Sequence, residues 1–357
     1  MSVQTYAMTP QRIGKMKGEI LKHAEPEEKL AKQGRQVKFN RNNSDTYVAR
    51  RYLPYGATSA SATSQNTFFQ NADGDRGNVI VQAHQTQEGV TPLPDSIAAI
   101  DITIVMQQYA CLYGFTDKTF DFYEDDIPEQ MTKQIGERVT FVTEMILYVI
   151  LRSCTNVYYG GVGTTIATVS GAVTVGQVRR IVENLRANHA KTVTTMLKAS
   201  PLYGTEPVVA GYLVFCHTNL AADIRNMAGY TPIEKYASMK PMPGELGKVE
   251  EFRFIGHADL PSLQNAGAAV GATDCRSTTG TLIDVYPMIV VAEDAWSQVS
   301  VRGKDSLKPS YLPPGVASKS DIFGQRGYAG TIWYKSGMIE NHGWMALLYV
   351  GSRNLPV

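Results

Sequence analysis

The feature that most constrains this chain is a long amphipathic run that begins near Asp126. Apolar residues recur there at alternating steps of three and four, which is the period of one face of an α-helix. The residues that define this face are Met131, Ile135, Val139, Val142, Ile146, Val149 and Ile150. Asp126 and Glu129 form a variant of the helix capping box, and Pro128 lies in the first turn, where a missing N–H is tolerated. A helix that reaches Cys154 would be roughly 40 Å long, so other elements must line its whole length.

A membrane span is the main alternative for this run, because residues 141–151 are nearly all apolar. The run is shorter than the ~20 residues that a bilayer requires, and Glu144 interrupts it. The charged residues of the segment fall mostly between the apolar positions of the predicted face. Residues 1–25 lack the apolar core of a secretory signal. We therefore expect a soluble protein that has no membrane partner and is made in a cytoplasm.

The composition permits a large core but distributes charge unevenly. The chain has 357 residues, of which 43% are hydrophobic, enough for about two ordinary domains. Residues 1–55 contain eleven Lys or Arg and five Asp or Glu, a net charge of +6, although the whole chain carries +1. The basic residues are scattered and are not interleaved with aromatic residues, which argues against a specific reader of nucleic acid.

The first hundred residues do not have the pattern of a compact domain. Residues 1–47 are polar and have no sustained period, so we expect an arm that another subunit holds in place. Residues 50–100 are rich in Ser, Thr, Ala, Gln, Asn and Gly, and loops of that length are uncommon inside a domain. They predict a long excursion with a hairpin turn at Asp73-Gly74 and a returning strand over residues 78–83. Ile102, Ile104 and Met106 then alternate as in a half-buried strand.

The rest of the chain mixes helices and strands without a regular βαβ repeat. Thr174 and Gln177 form a capping box for a second helix, and Thr218 is expected to cap a short helix that ends near Arg225. Runs of apolar residues predict strands at 213–215, 251–255, 283–291, 330–334 and 344–350. This pattern favours the α+β class.

A search for catalytic and phosphate-binding motifs finds none. The sequence contains no Gly-x-Ser-x-Gly, no His-Glu-x-x-His and no Walker A motif. Gly160, Gly161 and Gly163 are interpreted as the left-handed cap of the long helix, because a phosphate-binding loop would precede a helix. The acidic residues 124–126 directly precede that helix and are interpreted as partners of its dipole.

Metal and redox sites are also not expected. The four cysteines are at least 43 residues apart and are interpreted as reduced, buried thiols. The six histidines never pair at ligand spacing. Asp73 and Asp75 fail as a calcium loop, since Asn78 and His84 stand where Gly and Glu are needed. We predict no catalytic, cofactor-binding or metal-binding residues and no cofactor. An uncharacterised enzyme would be favoured only if a pocket gathers some of the residues His217, Asp223, His257 and Glu293.

Several short motifs occur in an order that resembles a known family. After the polar arm come EGVTP at 88–92, a strand from Asp101 to Phe115, and the long helix followed by RSCTNVYYG at 152–160. GELGKV at 244–249 and QRGYAGTIWYK at 325–335 follow. This order resembles the major capsid proteins of tailed bacteriophages, in particular the N4-like podovirus capsid family, which has the HK97 fold.

The resemblance implies a domain organisation. Residues 1–47 would be the N-terminal arm, and 48–119 the E-loop with its flanking strands. Residues 120–173 would form the peripheral domain with its spine helix, and 174–301 the axial domain. Residues 302–357 would return to the peripheral domain and supply the C-terminal strands.

The resemblance also implies a function and partners. The chain would be a virion capsid protein, made and assembled in the bacterial host cytoplasm, whose hexamers and pentamers form an icosahedral shell around packaged double-stranded DNA. DNA would contact the inner face non-specifically, and portal, scaffolding and cement or decoration proteins would be further partners. Some shells of this fold are cross-linked through an E-loop lysine, but this chain has no lysine between Lys38 and Lys118. We therefore expect a non-covalent shell. An encapsulin-type compartment is the alternative within the same fold.

Overall fold

A computed structural model describes residues 26–40, 44–54, 84–86, 88–91, 97–122, 127–194, 210–236, 241–272, 274–301, 309–317, 319 and 321–353. The predicted cap at Asp126, the turn at Asp73-Gly74 and the strand at 78–83 lie outside the described residues. The chain divides into two compact units. The first comprises Met1–Asp45, Val105–Leu147 and Gln298–Ser336, and the second comprises Thr46–Ile104, Tyr148–Ser297 and Gly337–Val357.

The described ranges contain fourteen strands and four α-helices. The strands are β1 Arg35–Phe39, β2 Thr46–Tyr52, β3 Ala99–Val105, β4 Gln107–Thr116, β5 Val157–Tyr159, β6 Tyr212–His217, β7 Tyr230–Pro232, β8 Glu245–Val249, β9 Phe252–His257, β10 Val285–Val291, β11 Trp296–Val301, β12 Ser310–Leu312, β13 Arg326–Ile339 and β14 Met345–Gly351. The helices are α1 Asp117–Phe122, α2 Ile127–Leu151, α3 Val175–Ala187 and α4 Ala221–Arg225.

A five-stranded sheet and the first part of α2 form the core of the first unit. The strand order is β1-β11-β13-β12, and β4 pairs with β13 from Arg326↔Thr116 to Lys335↔Gln107. Alternate residues of β4 and β13 meet the helix, as the two-residue period of a strand requires. This core contains Cys111, Phe115, Met131, Ile135, Val139, Ala329 and Trp333. The predicted apolar face of α2 is therefore confirmed over its first half.

The second half of α2 buries a different face. Val149, which the period placed inward, is 65% exposed, whereas Leu147 and Leu151 are fully buried. At about 100° per residue, the buried face has moved by roughly half a turn of the helix. Tyr148 is also buried, and its hydroxyl donates a hydrogen bond to the Pro261 carbonyl at 2.8 Å. The prediction of one continuous stripe is wrong because the two halves of the helix pack against different elements.

A seven-stranded sheet forms the core of the second unit, in the order β5-β14-β10-β6-β9-β8-β7. The pairs β5/β14 and β6/β9 are parallel, and β10 pairs antiparallel with both β14 and β6. Helix α3 packs on this sheet through Val178, Ile181, Val182 and Leu185, and its Thr174–Gln177 capping box is present as predicted. The strands β2 and β3 form a separate two-stranded sheet.

The predicted strands that fall within the described residues exist, but several local assignments were wrong. The strand expected from Asp101 to Phe115 is interrupted at Met106, whose N–H donates to the Asp45 carbonyl at 2.8 Å instead of joining a ladder. The short helix after β6 is preceded by a 3₁₀ turn that is capped by His217 and not by Thr218. The mixed α+β class is confirmed.

The glycines after α2 do not cap that helix. The helix ends at Leu151, and β5 separates it from Gly160. Gly161 has φ +83° and supplies a left-handed turn after β5. A Cβ at Gly160 would lie 2.6 Å from the Gly171 carbonyl oxygen, so this position also excludes a side chain for lack of space.

Candidate functional site

A buried carboxylate connects α2 to the segment that precedes β1. Glu144 is 1% exposed and accepts hydrogen bonds from the backbone N–H groups of Leu30, at 3.0 Å, and Ala31, at 2.9 Å. The Leu30 side chain is fully buried. A carboxylate that leaves water needs such donors to offset its desolvation. The polar arm predicted over residues 1–47 is therefore attached to its own unit at Leu30–Ala31.

The opposite side of the same segment is bound from β11 and β13. Gln298, which is fully buried, donates from Nε2 to the Ala31 carbonyl oxygen at 2.8 Å. Lys335 donates from Nζ to Gln298 Oε1 at 2.7 Å. We call Glu144, Leu30, Ala31, Gln298 and Lys335 the arm clamp.

The face of the five-stranded sheet opposite α2 carries exposed apolar side chains. Leu112 lies opposite Gly330, and Ile332 lies opposite Ala110, so both point away from the helix core. They are 52% and 58% exposed, and Leu312 on β12 is 46% exposed. We call Leu112, Ile332 and Leu312 the outer sheet patch. A patch of this kind is a typical site of contact with another protein surface.

The connection between β12 and β13 presents two further apolar side chains on a closed loop. The N–H of Gly315 donates to the Gly324 carbonyl at 2.7 Å. Gly324 has φ +63°, and a Cβ added there would lie 3.0 Å from the backbone carbonyl carbon of Gly315. Ile322 and Phe323, next to this closure, are 75% and 84% exposed. The tight closure holds these side chains at the surface of the first unit.

The residues proposed for an enzyme are only partly brought together. His217 and His257 lie opposite each other at the ends of the parallel strands β6 and β9. Each histidine uses Nδ1 to accept a backbone N–H, from Asn219 and Asp259 respectively, and so caps the turn that follows its strand. Burial, followed by the positive charge of Arg276, lowers the pKa of His217.

The two acidic candidates have other positions. Asp223 on α4 accepts the backbone N–H of Arg353 at 3.0 Å. Glu293 follows β10, which runs antiparallel to β6 with Val291 opposite Leu213. Glu293 therefore lies beyond the start of β6, roughly 20 Å along the strand direction from the histidine end at ~3.3 Å per residue.

The four cysteines are buried in the structure and take no part in a group of metal-ligating side chains among the described residues. All four cysteines are buried and free of disulfides, which confirms the prediction of buried thiols. Burial raises the pKa of the Cys154 thiol to about 11, which lowers its nucleophilicity at neutral pH. Over the described ranges, no three His, Cys, Asp or Glu side chains gather as a metal-binding group. Among the helices of those same ranges, none has the length and apolarity needed to cross a bilayer.

Comparisons with known proteins give a consistent result. No family model matches the chain. The major capsid protein of Pseudomonas phage KPP21 is 25% identical over 265 residues, which cover 70% of this chain and 67% of that protein. The chain is therefore similar in sequence to a phage major capsid protein. The solved capsid of Ralstonia phage GP4 matches the chain with a TM-score of 0.62 at 9% identity, over 100% of both chains. The capsid of Cyanophage P-SCSP1u matches with a TM-score of 0.57 at 13% identity, over 94% of this chain and 92% of that chain.

These matches confirm the predicted resemblance to phage major capsid proteins and the predicted HK97-type fold. At such low identities the solved structures establish the fold of the chain alone. Membership of the N4-like podovirus family stays a prediction.

Sequence reasoning missed the arm clamp. Glu144 was noted only as a charge that interrupts an apolar run. A lone carboxylate inside such a run was nevertheless a signal, because charged groups are almost never fully buried unless they are paired.

Proposed function

We propose that many copies of this capsid protein, arranged as hexamers and pentamers, close into an icosahedral shell around packaged double-stranded DNA. The observation that carries this proposal is the match to a phage major capsid protein over 70% of the chain, on a fold that phage capsids share. The role is mechanical: subunits bind one another and the closed lattice retains the DNA.

The exposed apolar surfaces of the first unit support assembly. The outer sheet patch and the side chains of Ile322 and Phe323 leave apolar area in contact with water in a single chain. In a shell, contacts between copies would bury such area, and burial of apolar surface is the main favourable term of association. Stability is then shared between the subunit and its neighbours, as in other obligate oligomers.

We assign the domains as the resemblance implies. Residues 1–47 act as the N-terminal arm, 48–119 as the E-loop with its flanking strands, and 120–173 as the peripheral domain with the spine helix α2. Residues 174–301 act as the axial domain, and 302–357 return to the peripheral domain. The DNA contact is non-specific, and portal, scaffolding and cement proteins complete the particle, which assembles in the cytoplasm of a bacterial host.

We assign no catalytic role to the subunit. His217 and His257 are used as turn caps, and Asp223 binds a backbone N–H. An encapsulin-type compartment would use the same fold around an enzyme cargo. The sequence relative is a phage major capsid protein, which favours the DNA-filled shell.

Assembly of the purified full-length protein tests this proposal. We expect negative-stain electron microscopy and sedimentation velocity to show closed particles of uniform size. Introducing a charge into the outer sheet patch with Ile332→Glu should reduce the particle fraction, whereas Lys133→Glu, which changes an exposed residue of α2, serves as a charge control. A folded monomer under every solution condition would contradict the proposal. Particles from infected cells that contain enzyme cargo and no DNA would favour the encapsulin alternative.

A further inference from the structure

The arm clamp binds a segment of backbone without regard to side-chain identity. Glu144 accepts N–H groups from two consecutive residues, Leu30 and Ala31, which are 114 and 113 residues away in the chain. Gln298 holds the carbonyl oxygen of Ala31 from the other side. Donors and acceptors on both sides of one short segment fix its position and its direction together.

The chain on the C-terminal side of the clamp is held as well. The N–H of Gln33 donates to the Leu30 carbonyl at 3.0 Å, which makes a turn, and β1 then joins the five-stranded sheet next to β11. On the N-terminal side of the clamp, Lys29 is 9% exposed and forms an ion pair with Glu27 at 2.5 Å. Leu30 fills the adjacent apolar space, with no exposed surface.

The energetics argue that the carboxylate is there for geometry more than for stability. Removing an ion from water is costly in a protein interior, and a protein whose buried ionic groups are replaced together with their partners by apolar residues often loses no stability. Hydrogen bonds with one ionised partner are short and directional. A leucine at position 144 could fill the space, but it could not accept the two N–H groups.

We propose that Glu144 is a positioning residue that sets where the N-terminal arm leaves the first unit, and thereby where the arm meets a neighbouring copy in the shell. The inference rests on the proposed assembly function. Gln298 is its partner in this role, because it holds Ala31 from the opposite side. Lys335 orients Gln298 by binding its Oε1.

The test uses full-length protein with three substitutions in the clamp and one matched control. Glu144→Gln keeps the shape of the side chain and removes its charge, and Glu144→Leu replaces it with an apolar group. Gln298→Met removes the contact on the opposite side of Ala31. Glu129→Gln makes the same charge change at an exposed position on α2. Hydrogen exchange over residues 29–36, thermal unfolding and the assembled fraction are measured for each.

We expect amide exchange at Leu30 and Ala31 to accelerate roughly 10- to 100-fold in Glu144→Leu, the factor that corresponds to losing a hydrogen bond to a charged group. We expect its melting temperature to stay within a few degrees of wild type and its assembled fraction to fall about tenfold or more. Glu144→Gln and Gln298→Met should lose assembly in the same way, and Glu129→Gln should assemble normally.

Each outcome has a defined meaning. Wild-type assembly by Glu144→Leu, with residues 29–36 exchanging faster, would overturn the proposal, because the arm would then assemble without its anchor. Should both Glu144 variants fail to fold, Gln298→Met decides, and normal assembly by that variant overturns the proposal. Failure of the wild-type protein to assemble would instead contradict the proposed function.

Discussion

His217 shows how one side chain couples local geometry to pH. The Nδ1 atom of His217 accepts the N–H of Asn219 at 2.9 Å, and that of His257 accepts the N–H of Asp259 at 3.2 Å. An acceptor nitrogen cannot carry a proton, so the cap made by His217 requires the neutral imidazole at that atom. The pKa of His217 is lowered by burial first and by the charge of Arg276 second, which favours the same neutral form.

Lowering the pH should therefore weaken the second unit. Because the pKa of His217 is lower in the folded state, the unfolded chain binds the proton first as pH falls. The stability contributed by neutral His217 is complete above the unfolded pKa of about 6.5 and is lost as pH falls below that value. The variant His217→Asn keeps a capping acceptor but does not titrate. We expect its melting temperature to fall less than that of the wild-type protein between about pH 7.5 and about pH 5.5. His84→Asn, at an exposed position, should retain the wild-type dependence, and equal slopes for all three proteins would contradict the prediction.

Helix α2 shows what periodicity could and could not predict. Its existence and its first buried face follow from the sequence alone, whereas its 25 residues end at Leu151, three residues before the predicted Cys154. The change of face after Val142 does not, because residues 145–151 are apolar on every side of the helix and packing partners decide which of them are covered. The short strands β5, β7 and β12 have three residues each, too few to display a period of two.

Strand β13 was predicted at 330–334 but extends from Arg326 to Ile339. Its centre is apolar, and the polar residues Lys335 and Ser336 hid the continuation. Lys335 lies in the strand because it reaches Gln298, a long-range contact that local patterns do not contain.

Glycine positions of the first unit provide a matched pair for testing the packing between β13 and β4. A Cβ at Gly327 would lie 2.3 Å from the ring of Phe115, which is fully buried and stacks on Tyr311. We expect Gly327→Ala to lower the free energy of unfolding by about 1–3 kcal/mol through overpacking. Gly136 on α2 has no atom within 4 Å of an added Cβ. Gly136→Ala should therefore raise the free energy of unfolding by up to about 1 kcal/mol through helix propensity. Urea unfolding measures both, and a Gly327→Ala protein as stable as wild type would show that the ring can move aside.

At the scale of the whole molecule, each unit is built from three separate stretches of chain. Such an arrangement depends on contacts between distant residues, which local sequence patterns do not contain. The outer sheet patch shows what local patterns do not predict. Leu112 and Ile332 have the alternation of a half-buried strand, but no local pattern indicates that their face of the sheet stays exposed. Contacts with other copies of the chain would explain why this apolar face is exposed in a single chain.

The chemistry that holds the copies together can also be predicted. The family resemblance implies that some shells of this fold are cross-linked through an E-loop lysine, and residues 48–119 contain only Lys118, which lies on α1. We expect particles boiled in SDS to migrate as a single 39.2 kDa band, identical to unassembled protein boiled in parallel. A ladder of covalent oligomers would contradict this expectation. Because a non-covalent lattice is held by mass action between its subunits and accessory proteins, its melting temperature should also rise with protein concentration, which a cross-linked shell would not show.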